Sequence, residues 1–589
     1  MAARDSIMKK PHDTRGSFRR LMGELAPWRR TLLMVFLLCL VSNVLSLLGP
    51  SLAGSAINEA AAGKGKVNFD RVYAFALRML LCYLGSSGIA ISINMIMVGV
   101  SKRFAGVLRE QVFHKLMKLP VGFFDRNPAG DLISRVSYDI DVISTCMASD
   151  VTAIMTSVVT VTGSLFMMIR ISPLLALVNL VTVPLAIAYT AWMRGKTQPR
   201  YSKRSRQYGA MNGFVEEMLS GQKTILAYAH EGEVEKRFDG INTGAADAYE
   251  DAEHYGCAIG PTVGSINNLG LTLIAVFGSL LYMGGRIHLG QISSFVLYSR
   301  KFSGPINEIA NIINELYSAL AAAERVFHLL DQPEELHDRK DARALADVRG
   351  DVALEHVAFG YEPERRIIHD LSLKADAGKL VAIVGPTGAG KTTIINLLMR
   401  FYDVDAGSIT VDGGDIRSYT RRSLRSAYAM VLQDTWVFRG TIRENIAYGR
   451  EGATMEEVVA AAKAAHIHPF IMRLPQGYET VISEDGGNIS KGQKQLLTIA
   501  RAMLYDAKML ILDEATSNVD TGTERAIQRA MRDLMQDKTN FVIAHRLSTI
   551  QHADTILVLN QGDVVEQGTH GELMAKKGFY YQLYRAQFE

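Results

Sequence analysis

Gly385-Pro386-Thr387-Gly388-Ala389-Gly390-Lys391-Thr392-Thr393 is the stretch that decides how the second half of the chain folds. An apolar run, Leu380–Val384, leads into it, and an apolar-periodic segment, 394–401, follows. The pattern is strand, glycine-rich loop, helix. Glycines let backbone N–H groups close around phosphate oxygens, and the start of the helix adds the positive end of its dipole. In this G-x-x-x-x-G-K-T spacing Lys391 reaches the β- and γ-phosphates, and the Thr392 hydroxyl is placed to ligate Mg²⁺. The expected ligand is a nucleoside triphosphate.

Outward from this loop, the sequence supplies more of a phosphate-handling site. Lys508-Met509-Leu510-Ile511-Leu512-Asp513-Glu514 reads as a buried strand ending in two carboxylates. Parallel strands carry such apolar runs and place ligands at their carboxyl ends. Asp513 suits Mg²⁺, directly or through water, while Glu514 suits the orientation and deprotonation of an attacking water. Residues 539–544 read as a further strand, and His545 at its end is a candidate contact for the γ-phosphate. Tyr361, a strand and a turn upstream of the loop, is a candidate for stacking on adenine. Ile489-Ser490-Lys491-Gly492-Gln493-Lys494-Gln495 leads straight into a helical stretch, 496–504.

The first 320 or so residues are of another kind. A spanning helix needs about 20 mostly apolar residues, and six segments qualify: 31–57, 72–100, 146–169, 173–194, 256–284 and 289–315. Asn43, Asn94, Asn267 and Asn268 interrupt them, which implies faces turned to other helices or to a cavity. Arg300 and Lys301 in the last segment either line a water-filled pathway or snorkel to the interface. The basic leader lacks a cleavable signal peptide pattern, because the apolar run after it is too long. Residues 17–28 lie along the membrane surface or form a plain charged leader helix. The 4 cysteines are scattered in apolar surroundings and make no metal or disulfide framework.

The connections are unequal. Those at 170–172 and 284–288 are short, whereas 101–145 and 195–255 are long, basic and helix-patterned. Basic residues near helix ends favour the cytoplasm, so both long loops and both termini are expected there. Each long loop turns in a short patch, one around Phe123-Phe124-Asp125 and one around Gly221. Helices of that length reach well beyond a bilayer and can touch a cytoplasmic domain. The expected organisation is a leader at 1–30, a membrane domain at 31–331, a linker at 332–350 and a nucleotide domain at 351–589.

Tyr361, the phosphate loop, Gln433, Ser490-Lys491-Gly492-Gln493, Asp513-Glu514, Ser517-Asn518-Val519-Asp520 and His545 resemble, in order and spacing, the motif set of ATP-binding-cassette (ABC) proteins. The first half is similar to the six-helix domain of bacterial ABC exporters. The resemblance implies an all-α transmembrane domain followed by an α/β P-loop ATPase, working as one half of a dimer in the cytoplasmic membrane. It implies two ATP molecules with Mg²⁺, each between the phosphate loop of one chain and the Ser490, Gly492 and Gln493 segment of the other. Gln433 would sense Mg²⁺ and relay to the loop helices, and Asp520 would organise the contact across the dimer. Lys491 departs from the pattern, where glycine is usual. With Glu514 and His545 present, that departure resembles the subunit of heterodimeric multidrug exporters that pairs with an unlike partner.

The expected substrate is an amphipathic small molecule or a lipid, moved across the bilayer. A homodimeric exporter of peptides or lipids is the alternative. A net charge of +4, from 64 basic and 60 acidic residues, gives no case for nucleic acid. The apolar segments argue against a soluble cassette ATPase acting on ribosomes or DNA. Only about 30 residues precede the first span, too few for the protease domain of a peptide processor-exporter. Transport direction is left open at this stage.

Overall fold

The computed structural model describes residues 13–63, 65–362, 364–433, 435–483, 487–513, 520–543 and 550–588. The described residues fall into two compact units, one drawn from Met1–Leu119 and Asn127–Glu334, the other from Pro120–Arg126 and Glu335–Glu589.

The first unit is helical throughout. After the short Thr14–Glu24 helix come Arg29–Ala60, Phe69–Leu116, a run over Ala129–Ile171, Pro173–Ser220, Glu231–Met283 and Leu289–Leu330. Caps mark the starts. Asn68 Oδ1 accepts from the Arg71 N–H at 3.2 Å, and Ser172 Oγ accepts from Leu175 with Pro173 at the first helical position. The Ala129–Ile171 run contains two π-helical turns, Arg135–Asp139 and Cys146–Asp150. Asp139 in the first is buried and pairs with Arg325, Nη2 to Oδ1 at 2.6 Å and Nε to Oδ2 at 2.9 Å.

Among the described residues, five helices are long and apolar enough to cross a membrane. The expected sixth, within Leu289–Leu330, is a continuous helix but falls short on composition. Its sequence carries Ser299, Arg300, Lys301, Ser303, Asn307, Glu308 and Asn311 in one stretch. Large apolar side chains such as Tyr73, Met95 and Val181 are exposed on the other helices. A surface of that kind marks contact with lipid or with another protein surface. In the leader, Leu21 and Leu25 are buried while Phe18 and Met22 stay exposed, and Arg20 pairs with Asp331 at 2.5 Å.

The asparagines divide. Asn43 is buried, donates to the Cys39 carbonyl at 2.8 Å and accepts from Thr160 at 2.6 Å, so it ties helices together. Asn94 is exposed. Asn267 and Asn268 line a cavity, as does Arg300. Lys301 points elsewhere: its Nζ donates to Ser46 Oγ at 2.5 Å and lies 5.9 Å from the Tyr83 ring centre. Neighbours in a helix are about 100° apart around the axis, so one of this pair can face the cavity while the other faces protein.

The second unit holds two main sheets. One is antiparallel, with order β2-β1-β4-β5: β1 is Val352–Phe359, β2 Ile368–Ala375, β4 Ala406–Val411 and β5 Gly414–Asp415. The other has order β12-β11-β3-β10-β9-β6, from β3 (Leu380–Val384), β6 (Tyr428–Val431), β9 (Met509–Asp513), β10 (Thr539–Ile543), β11 (Thr555–Asn560) and β12 (Asp563–Gly568). Its strands are parallel except β12. A two-stranded pair, β7 (Gly440–Thr441) and β8 (Val481–Ile482), completes the inventory among the described residues. Successive β3 residues serve different cores. Ala382 and Val384 pack with Ile499 and Ile527, whereas Val381 and Ile383 pack with Leu354 and Ile394. A strand buried on both faces must be apolar at every position. That is why the run before the phosphate loop has no alternation.

Candidate nucleotide site

The parallel sheet assembles the site through register alone. Val542 pairs with Ala382 and Ile543 with Ile383; Ile543 also pairs with Asp513, and Leu512 with Val431. The carboxyl ends of β3, β10, β9 and β6 therefore lie along one edge. The phosphate loop follows β3, Asp513 closes β9, and Gln433 stands exposed just after β6. Residues separated by more than a hundred positions are brought to one rim. Glu514 and His545 lie outside the described residues.

Within the loop, Gly388 has φ +83° and Gly390 φ +100°. Both lie in the left-handed region that glycine alone enters readily. Gly390 caps the Lys391–Leu398 helix without any side-chain bond, so this helix start keeps its N–H groups for a ligand. Pro386, Thr387 and Ala389 complete the turn, in which the Ala389 N–H donates to the Pro386 carbonyl at 3.2 Å. Lys391 Nζ donates to the Gly385 and Pro386 carbonyls at 2.8 and 2.9 Å, which holds the amine over the loop. Burial pushes its ammonium below the ordinary lysine value, and the nearby Asp513 carboxylate acts in the opposite sense. Asp513 and Lys391 thus feel one another, as a shared phosphate site requires.

The donor set fits Mg²⁺. That ion keeps several waters and binds through one or two carboxylates plus substrate phosphates, not in an all-protein cage. Among the described residues no cluster of three or more His, Cys, Asp or Glu side chains forms such a cage. Thr392 follows Lys391 on the first turn of the helix, and Asp513 supplies one carboxylate at the same rim.

Tyr361 sits in an aromatic cluster that its own motif does not reveal. Its ring meets Phe359 and Tyr402 edge-on, each at 5.0 Å, and Asn396 Nδ2 donates to its hydroxyl at 3.0 Å. The hydroxyl also bonds to Thr393 at 3.3 Å. The short Val121–Arg126 helix joins this cluster: Tyr402 contacts the Asp125 carboxylate, and Arg126 donates to the Tyr361 carbonyl at 3.1 Å. A Cβ on Gly122 would come within 2.9 Å of the Tyr402 ring, so the close approach needs glycine there. The aromatic pair Phe401-Tyr402, at the end of the loop's helix, is the sequence signal for this cluster.

The Lys491–Tyr505 helix is built differently. Ser490 Oγ accepts from the Gln493 N–H at 3.3 Å, and Gln493 Oε1 accepts from the Ser490 N–H at 2.8 Å. This capping box gives both residues an internal role, with Gly492 buried and Lys491 exposed on the first turn. Asp520 caps the Thr521–Met535 helix; N–H groups at that start, Thr523 first, hold its carboxyl below the usual range.

Residues 32–306 match the ABC transporter transmembrane region, and 368–517 match the ABC transporter family. A Bacillus subtilis (strain 168) ABC transporter ATP-binding protein, YfiC, is 42% identical over 580 residues, covering 98% of this chain and 96% of that one. The chain belongs to the ABC transporter family. A Mycobacterium bovis fatty acid ABC transporter ATP-binding/permease protein is 41% identical, with 98% of this chain and 97% of the relative covered. A bacterial Atm1-family ABC exporter with ATP bound has a TM-score of 0.74 at 31% identity, covering 95% of this chain and 99% of that one. This ABC transporter fuses a helical membrane domain to an ATPase domain and couples ATP hydrolysis to transport. It is a multi-pass membrane protein of the exporter type, with its ATPase domain on the cytoplasmic side.

Proposed function

We propose that this chain is the catalytically intact half of a heterodimeric exporter of amphipathic compounds or lipids. The observation that carries the pairing is Lys491, an exposed cation on the first turn of the Lys491–Tyr505 helix. A helix start is the positive end of its dipole, so a cation there is disfavoured by a few tenths of a kcal/mol, up to about 1 kcal/mol. It also sets a long side chain where close approach of backbone to phosphate needs glycine. The damage falls on ATP held by the partner, whereas the residues that act on this chain's own ATP are all present.

In that reading the phosphate-loop amides, Gly385 through Thr393, bind the phosphates and Lys391 pairs with the β- and γ-oxygens. Thr392, Gln433 and Asp513 would hold Mg²⁺, which when bound would supply positive charge against the phosphates. Glu514 orients the attacking water and accepts its proton, and His545 contacts the γ-phosphate. Tyr361 stacks on adenine. Ser490, Gly492 and Gln493 bind the γ-phosphate carried by the partner, and Asp520 orders that junction. Asp125 and Arg126 on the Val121–Arg126 helix, set against Tyr402 and Tyr361, are suited to pass nucleotide state to the long helices. The fatty acid transporter at 41% identity supports a lipid-like substrate. Both chain termini are read as cytoplasmic.

The test is to purify this chain alone and together with a candidate partner half-transporter that carries an unaltered signature segment. The pair should hydrolyse ATP and move a fluorescent amphiphile into inverted membrane vesicles, and the single chain should do neither well. Full activity from this chain alone would leave a homodimer as the correct assembly.

A further inference from the structure

We infer that Arg300 forms an oxyanion-binding subsite in the membrane unit that holds the carboxylate or phosphate headgroup of the transported amphiphile. This rests on the exporter reading above and adds the chemistry of its substrate.

The site is a cavity of about 300 Å³. Its walls carry Asn179 and Thr182 from the Pro173–Ser220 helix, Asn267 and Asn268 from Glu231–Met283, and Ser299 and Arg300 from Leu289–Leu330. Three helices turn their polar positions to one point, although two of them are otherwise apolar enough to span a bilayer. The wall is organised: Ser299 donates to Asn179 Oδ1 at 2.8 Å, and both residues are buried. Arg300 is the one ionisable group among the described lining residues and is exposed to the cavity. Among the described residues it makes no hydrogen bond, ion pair or ring contact, unlike its neighbour Lys301, which bonds Ser46.

Arg300 lies about 16 Å along its helix from Leu289, eleven residues on at 1.5 Å each. Measured from an interface at Leu289, that is near the middle of a hydrocarbon core of about 30 Å. A cation at that depth faces a cavity and marks a ligand path. The guanidinium offers five N–H donors and no acceptor, in a fork that matches the two oxygens of a carboxylate or phosphate. The amides of Asn267 and Asn268 add neutral donors, and no carboxylate lines the described wall. At about 30 Å³ per water, the space takes a headgroup and its first methylenes. The tail must lie outside, along the apolar helix faces.

The test uses the purified full-length protein and measures binding of radiolabelled dodecanoate by scintillation proximity. Dodecanoate and dodecyl phosphate should compete, with dodecanol at least about tenfold weaker, since it lacks the charge-assisted bond. Arg300→Gln should weaken dodecanoate at least about tenfold, while Arg300→Lys, which keeps the charge but loses the fork, should fall between the wild type and Arg300→Gln. Asn268→Asp, which leaves Arg300 in place, should weaken dodecanoate by placing a negative charge in the wall beside the bound carboxylate. Unchanged dodecanoate affinity in both Arg300→Gln and Asn268→Asp overturns the subsite. So does competition by inorganic phosphate as strong as that by dodecyl phosphate, which would mark a free-anion site. Transport of an uncharged dye in inverted vesicles tests the exporter reading separately, since it needs no headgroup contact.

Discussion

Two helix starts in the ATPase unit, both assigned to ATP in the proposed function, are prepared in opposite ways. The Lys391–Leu398 helix begins on Gly390 in a left-handed conformation with no side-chain cap. The Lys491–Tyr505 helix begins on Ser490 inside a complete capping box with Gln493. The first leaves its amides for a ligand at the cost of strain that only glycine relieves. The second is satisfied by its own side chains and needs no ligand to be stable. An obligatory binding loop and a conditional one are thus told apart by where their first N–H groups go. Lys491 sharpens the contrast, because the conditional start is also the one that carries the unexpected residue.

The largest effect that separates the two starts is expected from Glu514→Gln, read on the proposed heterodimer. Loss of a general base costs on the order of 10²- to 10⁴-fold in rate, although the partner's site is untouched. Steady-state phosphate release measures it, and a drop of only twofold would mean that the two sites share the work equally. Next, Lys391→Ala removes charge-assisted bonds to the phosphates, each worth roughly 1.5–3 kcal/mol. ATP affinity, read by fluorescent-nucleotide titration, should fall by one to two orders of magnitude.

A smaller effect falls on folding. Gly390→Ala forces a Cβ into a left-handed site where it would meet Ile368 Cδ1 at 2.8 Å. The backbone term alone is about 1–2 kcal/mol, so the thermal midpoint of the ATPase unit should drop by several degrees. An unchanged midpoint would show that the loop's conformation is set by its ligand. Smallest is Lys491→Gly, which exchanges a poorly placed cation for backbone freedom. Turnover of the proposed heterodimer should change by less than about threefold. A rise above tenfold would make Lys491 a brake on the whole machine.

The phosphate loop, Asp513 and the long helices were legible because spacing defines them. A loop of fixed length between a strand and a helix has one reading, and a basic, helix-patterned run of dozens of residues has few. What was not legible follows from geometry across the chain. Arg300 and Lys301 look equivalent in sequence, yet one lines a cavity and the other bonds Ser46. Tyr361 was visible as a lone aromatic, but its setting depends on Tyr402, Asn396 and a helix some 240 positions upstream. Asn43 and Asn267 are the same residue type in similar apolar runs. Only the neighbouring helices decide that the first is a clamp between helices and the second a cavity wall. The sixth helix also shows the limit of composition: its polar stretch is what hydropathy counts against it and what the cavity uses.

The length of the helices has a mechanical meaning. Pro173–Ser220 has 48 residues and Glu231–Met283 has 53, so each is a rod of about 70–80 Å, of which the hydrocarbon core grips about 30 Å. The remainder is a cantilever. For a free length of about 40–50 Å, a tilt of about 5° displaces the end by about 4 Å. The amplification needs stiffness, which close pairing of two rods supplies. It also needs compliance at chosen points, and Pro184, Pro199 and Pro261 each remove one rung of the hydrogen-bond ladder within these rods. The bend is thereby localised at joints fixed by covalent structure. Replacing those prolines with alanine would stiffen the joints and change the gearing between ATP turnover and stroke, with every ATP-binding residue left as it was.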